Sequence, residues 1–118
     1  MDTAHKDGQV LQGLFEDPQL IHTYHLYRFT SDSILLSRFV KGKKGDTVAD
    51  FCAGSGIVGL HFLCLNPHIS SVVLYEMQPA LSDMSARTIA CNGFSKAVAE
   101  CMRVQDIGKE RNGRFSLV

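Results

Sequence analysis

No stretch of this chain is apolar for long enough to cross a bilayer. The run from Ile57 to Leu65 falls far short of the roughly 20 residues a spanning helix needs, and it contains His61. Met1 to Gly8 is polar and has no apolar core of the kind that makes a signal peptide. There is no excess of either charge: twelve basic and twelve acidic residues cancel, which neither predicts nor excludes a nucleic-acid partner. The four cysteines, Cys52, Cys64, Cys91 and Cys101, form no CxxC pair and have no metal-like spacing. They read as reduced thiols in a cytoplasmic protein, without disulfides and without a membrane. No internal repeat and no low-complexity tract is present. What remains is an ordinary globular composition, with 45% hydrophobic and 20% charged residues over 118 positions. That length suits one domain, burying very roughly two thirds of the unfolded chain's surface.

Three regions follow from the pattern. Residues 1–8 read as a disordered lead-in, 9–45 as an N-terminal flap with a helix, and 46–118 as a ligand-binding half-domain. Gln9 to Phe29 mixes aromatics with Pro18 and predicts short strands and turns. Thr30, Ser31 and Asp32 offer capping oxygens ahead of Ile34, Leu35, Leu36, Phe39 and Val40, whose spacing suits one helix face. Lys41 to Gly45 closes that helix with a solvated turn.

A βαβαβ alternation then begins. Thr47 to Phe51 predicts a strand, Gly56 to Asn66 a helix stopped by Pro67, and Ile69 to Tyr75 a β-branched strand buried on both faces. Pro79 opens a second helix that ends at Asn92-Gly93. Ala97 to Val104 is a third strand, and Phe115 to Val118 opens a fourth. The fold class expected is α/β, a Rossmann-like partial parallel sheet. Counting strands from Thr47, its order is expected to be 3-2-1-4, with the N-terminal flap above. A parallel sheet of four strands looks cut short.

The chemistry concentrates in Asp50-Phe-Cys-Ala-Gly-Ser-Gly-Ile-Val-Gly59. Gly54 and Gly56 stand where strand turns into helix, so backbone N–H groups can approach a ligand and attract an anion. The alternative is a tight turn with no ligand. Gly54-x-Gly56-x-x-Gly59 also satisfies the dinucleotide fingerprint, so an NAD-binding oxidoreductase domain stands as a competing reading. Glu76, at the end of the second strand, can grip the vicinal hydroxyls of a ribose in either case; otherwise it is a solvent-facing strand end. Asp50 separates the two. A carboxylate behind the turn would repel a pyrophosphate and attract a cationic cofactor, and S-adenosylmethionine carries an ammonium and a sulfonium. Otherwise Asp50 caps the loop amides. Asp106, after the third strand, can accept a bond from an adenine amino group, and it completes a series of acids at successive strand ends.

The segments Arg28 to Leu36 (RFTSDSILL), Val48 to Gly59, Tyr75 to Pro79 (YEMQP) and Asn92-Gly93 together resemble the tRNA N6-adenine methyltransferase group. The resemblance covers about Phe29 to Val118. It implies a class I methyltransferase fold using S-adenosylmethionine, with RNA, in particular tRNA, as partner. It implies cofactor contacts from Asp50, Cys52, Gly54 and Gly56 on the turn, from Glu76 and Met77, and from Asp106 and Ile107. It places Phe29, Thr30 and Asp32 near the transferable methyl. Cys52 stands where the superfamily often has glycine. The family's Asn-Pro-Pro-Tyr motif follows its fourth strand, where this sequence ends, so no catalytic residue is assigned. The chain alone is expected not to turn over, and a non-catalytic, cofactor-binding relative is the competing reading. A homodimer is expected to cover the open sheet edge.

Other candidates have plainer readings. His22 and His25 are spaced for a metal pair but lack a third ligand, and no metal site is expected. Lys41, Lys43 and Lys44 could touch RNA phosphate, yet read first as a solvated turn. Cys52 reads as a small packed thiol, not a nucleophile, and Tyr24, Tyr27 and Phe29 as core aromatics before base-stacking ones.

Overall fold

Alternating short β-branched runs with helices leaves each strand's next neighbour reachable only by a crossover, and the chain pairs accordingly. The computed structural model describes residues 9–13, 19–23 and 31–118. The lead-in, Phe15, Pro18, Tyr24, His25, Tyr27, Phe29 and Thr30 lie outside the described residues. Two strands, β1 (Gln9–Gly13) and β2 (Gln19–Thr23), pair antiparallel with Gln9 opposite Thr23. Helix α1 follows (Ser31–Phe39), then β3 (Thr47–Phe51), α2 (Ile57–Leu65), β4 (Ser71–Glu76), α3 (Pro79–Asn92) and β5 (Ala97–Cys101). The last three strands form one parallel sheet in the order β3-β4-β5, with Asp50 opposite Leu74 and Leu74 opposite Ala99.

One sheet face carries Val48, Val72, Leu74 and Ala97. It packs under α2 and α3 through Leu60, Leu63 and the partly buried Ile89, and this is the core. Close packing of α2 on the sheet depends on Gly59. A β-carbon there would sit 2.5 Å from Leu74 Cδ2 and 2.9 Å from Asp50 Oδ2, closer than nonbonded atoms approach. Helix α3 begins with proline in its first turn and ends at Gly93 in the left-handed conformation, as the sequence predicts.

Three expectations need correction. The third strand stops at Cys101, and Val104–Asp106 forms a short 3-10 turn instead. Phe115 to Val118 is not a strand: it makes a single parallel bridge, Leu117 to Val48, with Ala49 N–H donating to Leu117 O at 2.9 Å. The segment between is held to the sheet by Arg111, which donates to Tyr75 Oη and Glu100 Oε2 and lies over the Tyr75 ring. Finally, the apolar residues of α1 do not share a buried face. Leu35, Leu36 and Phe39 are 63%, 50% and 83% exposed, while Ser37 is buried. Three consecutive apolar positions, 34–36, span more than half a helical turn, so packing must choose among them. It chooses the side on which the Ser37 hydroxyl meets Nδ1 of the buried His61 on α2.

Candidate cofactor site

The turn from β3 into α2 lies at the carboxyl ends of the strands, where open α/β sheets hold their ligands. Its backbone is unusual at three positions: Cys52, Gly54 and Gly56 have φ of 58°, 60° and 93°. Gly56 has no alternative, since a side chain there would combine the left-handed conformation with contacts near 3.1 Å to Leu74 and Ser85. At Gly54, by contrast, a β-carbon would meet nothing within 4 Å. Open space lies over that backbone.

Neighbouring elements fix the turn. Ala53 N–H donates to Tyr75 O at 2.9 Å, and Ser85 Oγ on α3 donates to Gly54 O at 3.0 Å. Glu76 does most. Its Oε1 accepts from Gly54 N–H and its Oε2 from Gln78 N–H, both at 2.9 Å. Only 7% of Glu76 is exposed, so it is not a solvent-facing strand end. Backbone amides hold the carboxylate across the turn, with lone pairs remaining on each oxygen.

Asp50 occupies the other side. Its Oδ2 accepts from Gly59 N–H at 3.1 Å, capping the first turn of α2 from the strand. This uses a helix N-terminal donor that a dinucleotide phosphate would otherwise take. Burial pushes the Asp50 carboxyl up to about 6, against the lowering effect of the Gly59 bond, and Glu76 nearby adds a smaller upward push. A cation placed against Asp50 would favour its charged form.

The cleft beside the turn holds about 360 Å3 and is lined by Cys52, Tyr75, Glu76, Met77 and Gln78 from one side and Met102 to Gln105 from the other. Glu76, Cys52 and Met77 therefore meet in one cleft. Asp106 stands just outside this lining, its carboxylate bound to Arg103 at 2.8 and 3.2 Å, and Ile107 follows it. Asp32 is exposed in the first turn of α1. Arg103 and Gln105 were not anticipated. The three-residue spacing of Arg103 to Asp106 was the available signal, as ion pairs form readily at that separation in a helical turn. Among the described residues no cluster of three His, Cys, Asp or Glu side chains could hold a metal, and no helix is long and apolar enough to cross a membrane.

No family profile matches the chain, and no curated protein does. Solved structures do match. TYW2 of P. horikoshii, in complex with MeSAdo, aligns with a TM-score of 0.72 at 16% identity, over 87% of this chain and 39% of that one. The complex of aTrm5 and tRNALeu gives 0.69 at 13% identity, over 88% and 31%. Trm5 of Methanocaldococcus jannaschii, in complex with adenosine, gives 0.68 at 13% identity, over 87% and 32%. The chain spans about a third of the length of these structures. The likeness establishes the fold: an α/β domain with a parallel sheet of the Rossmann-like methyltransferase type.

Proposed function

We propose that the chain binds S-adenosylmethionine in the cleft between the glycine turn and Met102–Gln105, and serves methyl transfer to RNA. The observation that carries this is Glu76, whose carboxylate is buried and oriented by two backbone amides beside the open space over Gly54. A carboxylate so held can accept both hydroxyls of a ribose. Asp50 does not line this cleft but a separate hollow with Gly59, Leu36 and Leu117; behind the turn it adds a second carboxyl, suited to a cation and opposed to a pyrophosphate. The donor set thus fits a ribose-bearing cation better than a dinucleotide. The bound cofactor would supply an activated methyl group; the chain's residues bind it, orient it and exclude water. Solved neighbours that hold MeSAdo, adenosine and a tRNA support the reading. The finer assignment, an adenine N6 in tRNA, rests on the resemblance around Phe29 to Leu36, and the cytoplasmic setting on the cysteine pattern. The expected homodimer belongs here too. Phe51 and Val98 leave the sheet face opposite Leu74 38% and 52% exposed, and sedimentation over a range of concentrations tests it.

Calorimetric titration with S-adenosylmethionine, S-adenosylhomocysteine and NAD is the deciding experiment. Tighter binding of the first two is expected, and preferential NAD binding overturns the proposal. Glu76→Gln keeps the volume of the side chain but turns an amide group toward one of the two N–H donors. It is expected to weaken cofactor binding and also to cost about 1–3 kcal/mol of stability, because Glu76 organises the turn as well as facing the cleft.

A further inference from the structure

Away from the cleft, at the amino end of β3, four cations crowd one short stretch: Arg38, Lys41, Lys43 and Lys44. All four are exposed, and among the described residues none enters an ion pair. The acid that follows them, Asp46, accepts from Lys43 N–H at 2.7 Å and from Ser116 Oγ at 2.9 Å; these bonds and the Lys43 charge favour its ionised form, so one negative charge stands against the four positive ones. In a chain of zero formal net charge, this is a local excess of positive charge.

The loop is also anchored at several points. Gly42 N–H donates to Asn66 Oδ1 at 3.2 Å, and Gly42 O receives His68 Nε2 at 2.8 Å. Gly45 N–H donates to His68 O at 3.0 Å. A β-carbon on Gly42 would press on Phe62 and Ile69 at 2.9 Å, so the backbone is seated against the core. A merely solvated turn needs no such anchoring. Arg38 and Lys41 flank a hollow of about 340 Å3 whose remaining lining is Val40, Leu65 and Asn66, with no acid. Next to Arg38 in the chain, at the end of α1, Phe39 is 83% exposed.

We infer that this surface binds single-stranded RNA, with phosphates on Arg38, Lys41, Lys43 and Lys44 and an unpaired base stacked on Phe39. The inference rests on the RNA partner proposed above and adds a second contact surface, about 16 Å from the glycine turn along the five residues of β3. Clustered cations beside an exposed ring are what sequence-tolerant single-strand binding uses. Anionic membrane would suit the charges as well. Yet α1 is only nine residues long and is locked to α2 through Ser37 and His61, so it cannot lie down freely in a headgroup layer.

The probe is a short, fluorescein-labelled, adenine-rich single-stranded RNA, followed by anisotropy from low to moderate salt. Phe39→Ala should weaken binding roughly tenfold with the salt slope unchanged. A triple Lys41→Ala, Lys43→Ala, Lys44→Ala variant should lower the slope by about two. All these side chains are exposed, so unfolding temperatures should not move. Wild-type affinity in both variants overturns the inference, as does absence of RNA binding at low salt. Loss in the variants of binding to phosphatidylserine vesicles, with RNA binding intact, overturns it in favour of a membrane surface. Cofactor titration in parallel separates the two proposals: RNA binding without cofactor binding removes only the earlier one, and the reverse removes only this one.

Discussion

Replacing Asp50 by asparagine tests the electrostatics of the site directly. The carboxyl is pushed from an ordinary 3.8 up to about 6, chiefly because burial strips water from its charged form. The folded state therefore holds this proton more tightly than the unfolded chain does. Below the ordinary value both states are protonated and nothing is lost. As pH rises toward 6 the unfolded chain ionises first, and stability falls; above 6 the full penalty is present and constant. At about 1.4 kcal/mol per pH unit between the two values, that penalty is about 3 kcal/mol. Asparagine carries no charge at any pH and can still accept from Gly59 N–H. Comparing Asp50→Asn with wild type at acid and neutral pH cancels any fixed cost of the amide. The variant should gain about 2 kcal/mol relative to wild type between pH 4 and pH 7, because at pH 4 the unfolded carboxyl is already about half ionised, read from urea midpoints at unchanged m-value. Parallel stability profiles across that range would refute the argument. With S-adenosylmethionine present the advantage should shrink or reverse, because a cation favours the charged form of Asp50. Binding near pH 6 should then release protons, seen as a buffer-dependent heat that disappears by pH 8.

Gly59→Ala should destabilise the fold by about 1–3 kcal/mol despite alanine's better helix propensity, because the new methyl meets Leu74 at 2.5 Å; a change within about 0.5 kcal/mol would show that α2 can shift on the sheet. Cys52→Gly should be neutral or stabilise by up to about 1 kcal/mol, since it relieves a left-handed φ of 58° at some entropic cost. The same variant should leave cofactor affinity unchanged, and a loss measured by calorimetry would assign the Cys52 side chain to the cleft's chemistry. Ser37→Ala removes the bond to His61 at the α1–α2 contact and should cost about 1–3 kcal/mol. Amide exchange of α1 should accelerate with it, and an unchanged exchange rate would mean that apolar contact alone docks the helix.

Much of the βαβαβ order is legible in the residues themselves, because strand and helix announce themselves through local composition and punctuation. Pro79 and Gly93 bound a helix by chemistry that needs no neighbour, and the glycines of Gly54-Ser-Gly56 demand a turn wherever they lie. Glu76 is placed at a strand end by its distance from that turn alone. What its carboxylate does there is another matter. One of its amide bonds is local, from Gln78, but the other comes from Gly54 in the turn after β3, and that bond depends on parallel pairing of β3 with β4. Asp50 likewise reads as an acid behind a glycine turn, but whether it faces water, a ligand or a helix end depends on how closely α2 approaches, which Gly59 decides. Asp106 meets Arg103 because a short 3-10 turn replaces the end of the expected strand. The exposed apolar run of α1 shows the same limit: three adjacent apolar residues satisfy a helical period in sequence, yet only contact with α2 selects the buried side, and it selects Ser37. Local pattern sets which elements form. Burial, partner and charge state are properties of what packs against each residue, and only the assembled fold supplies that.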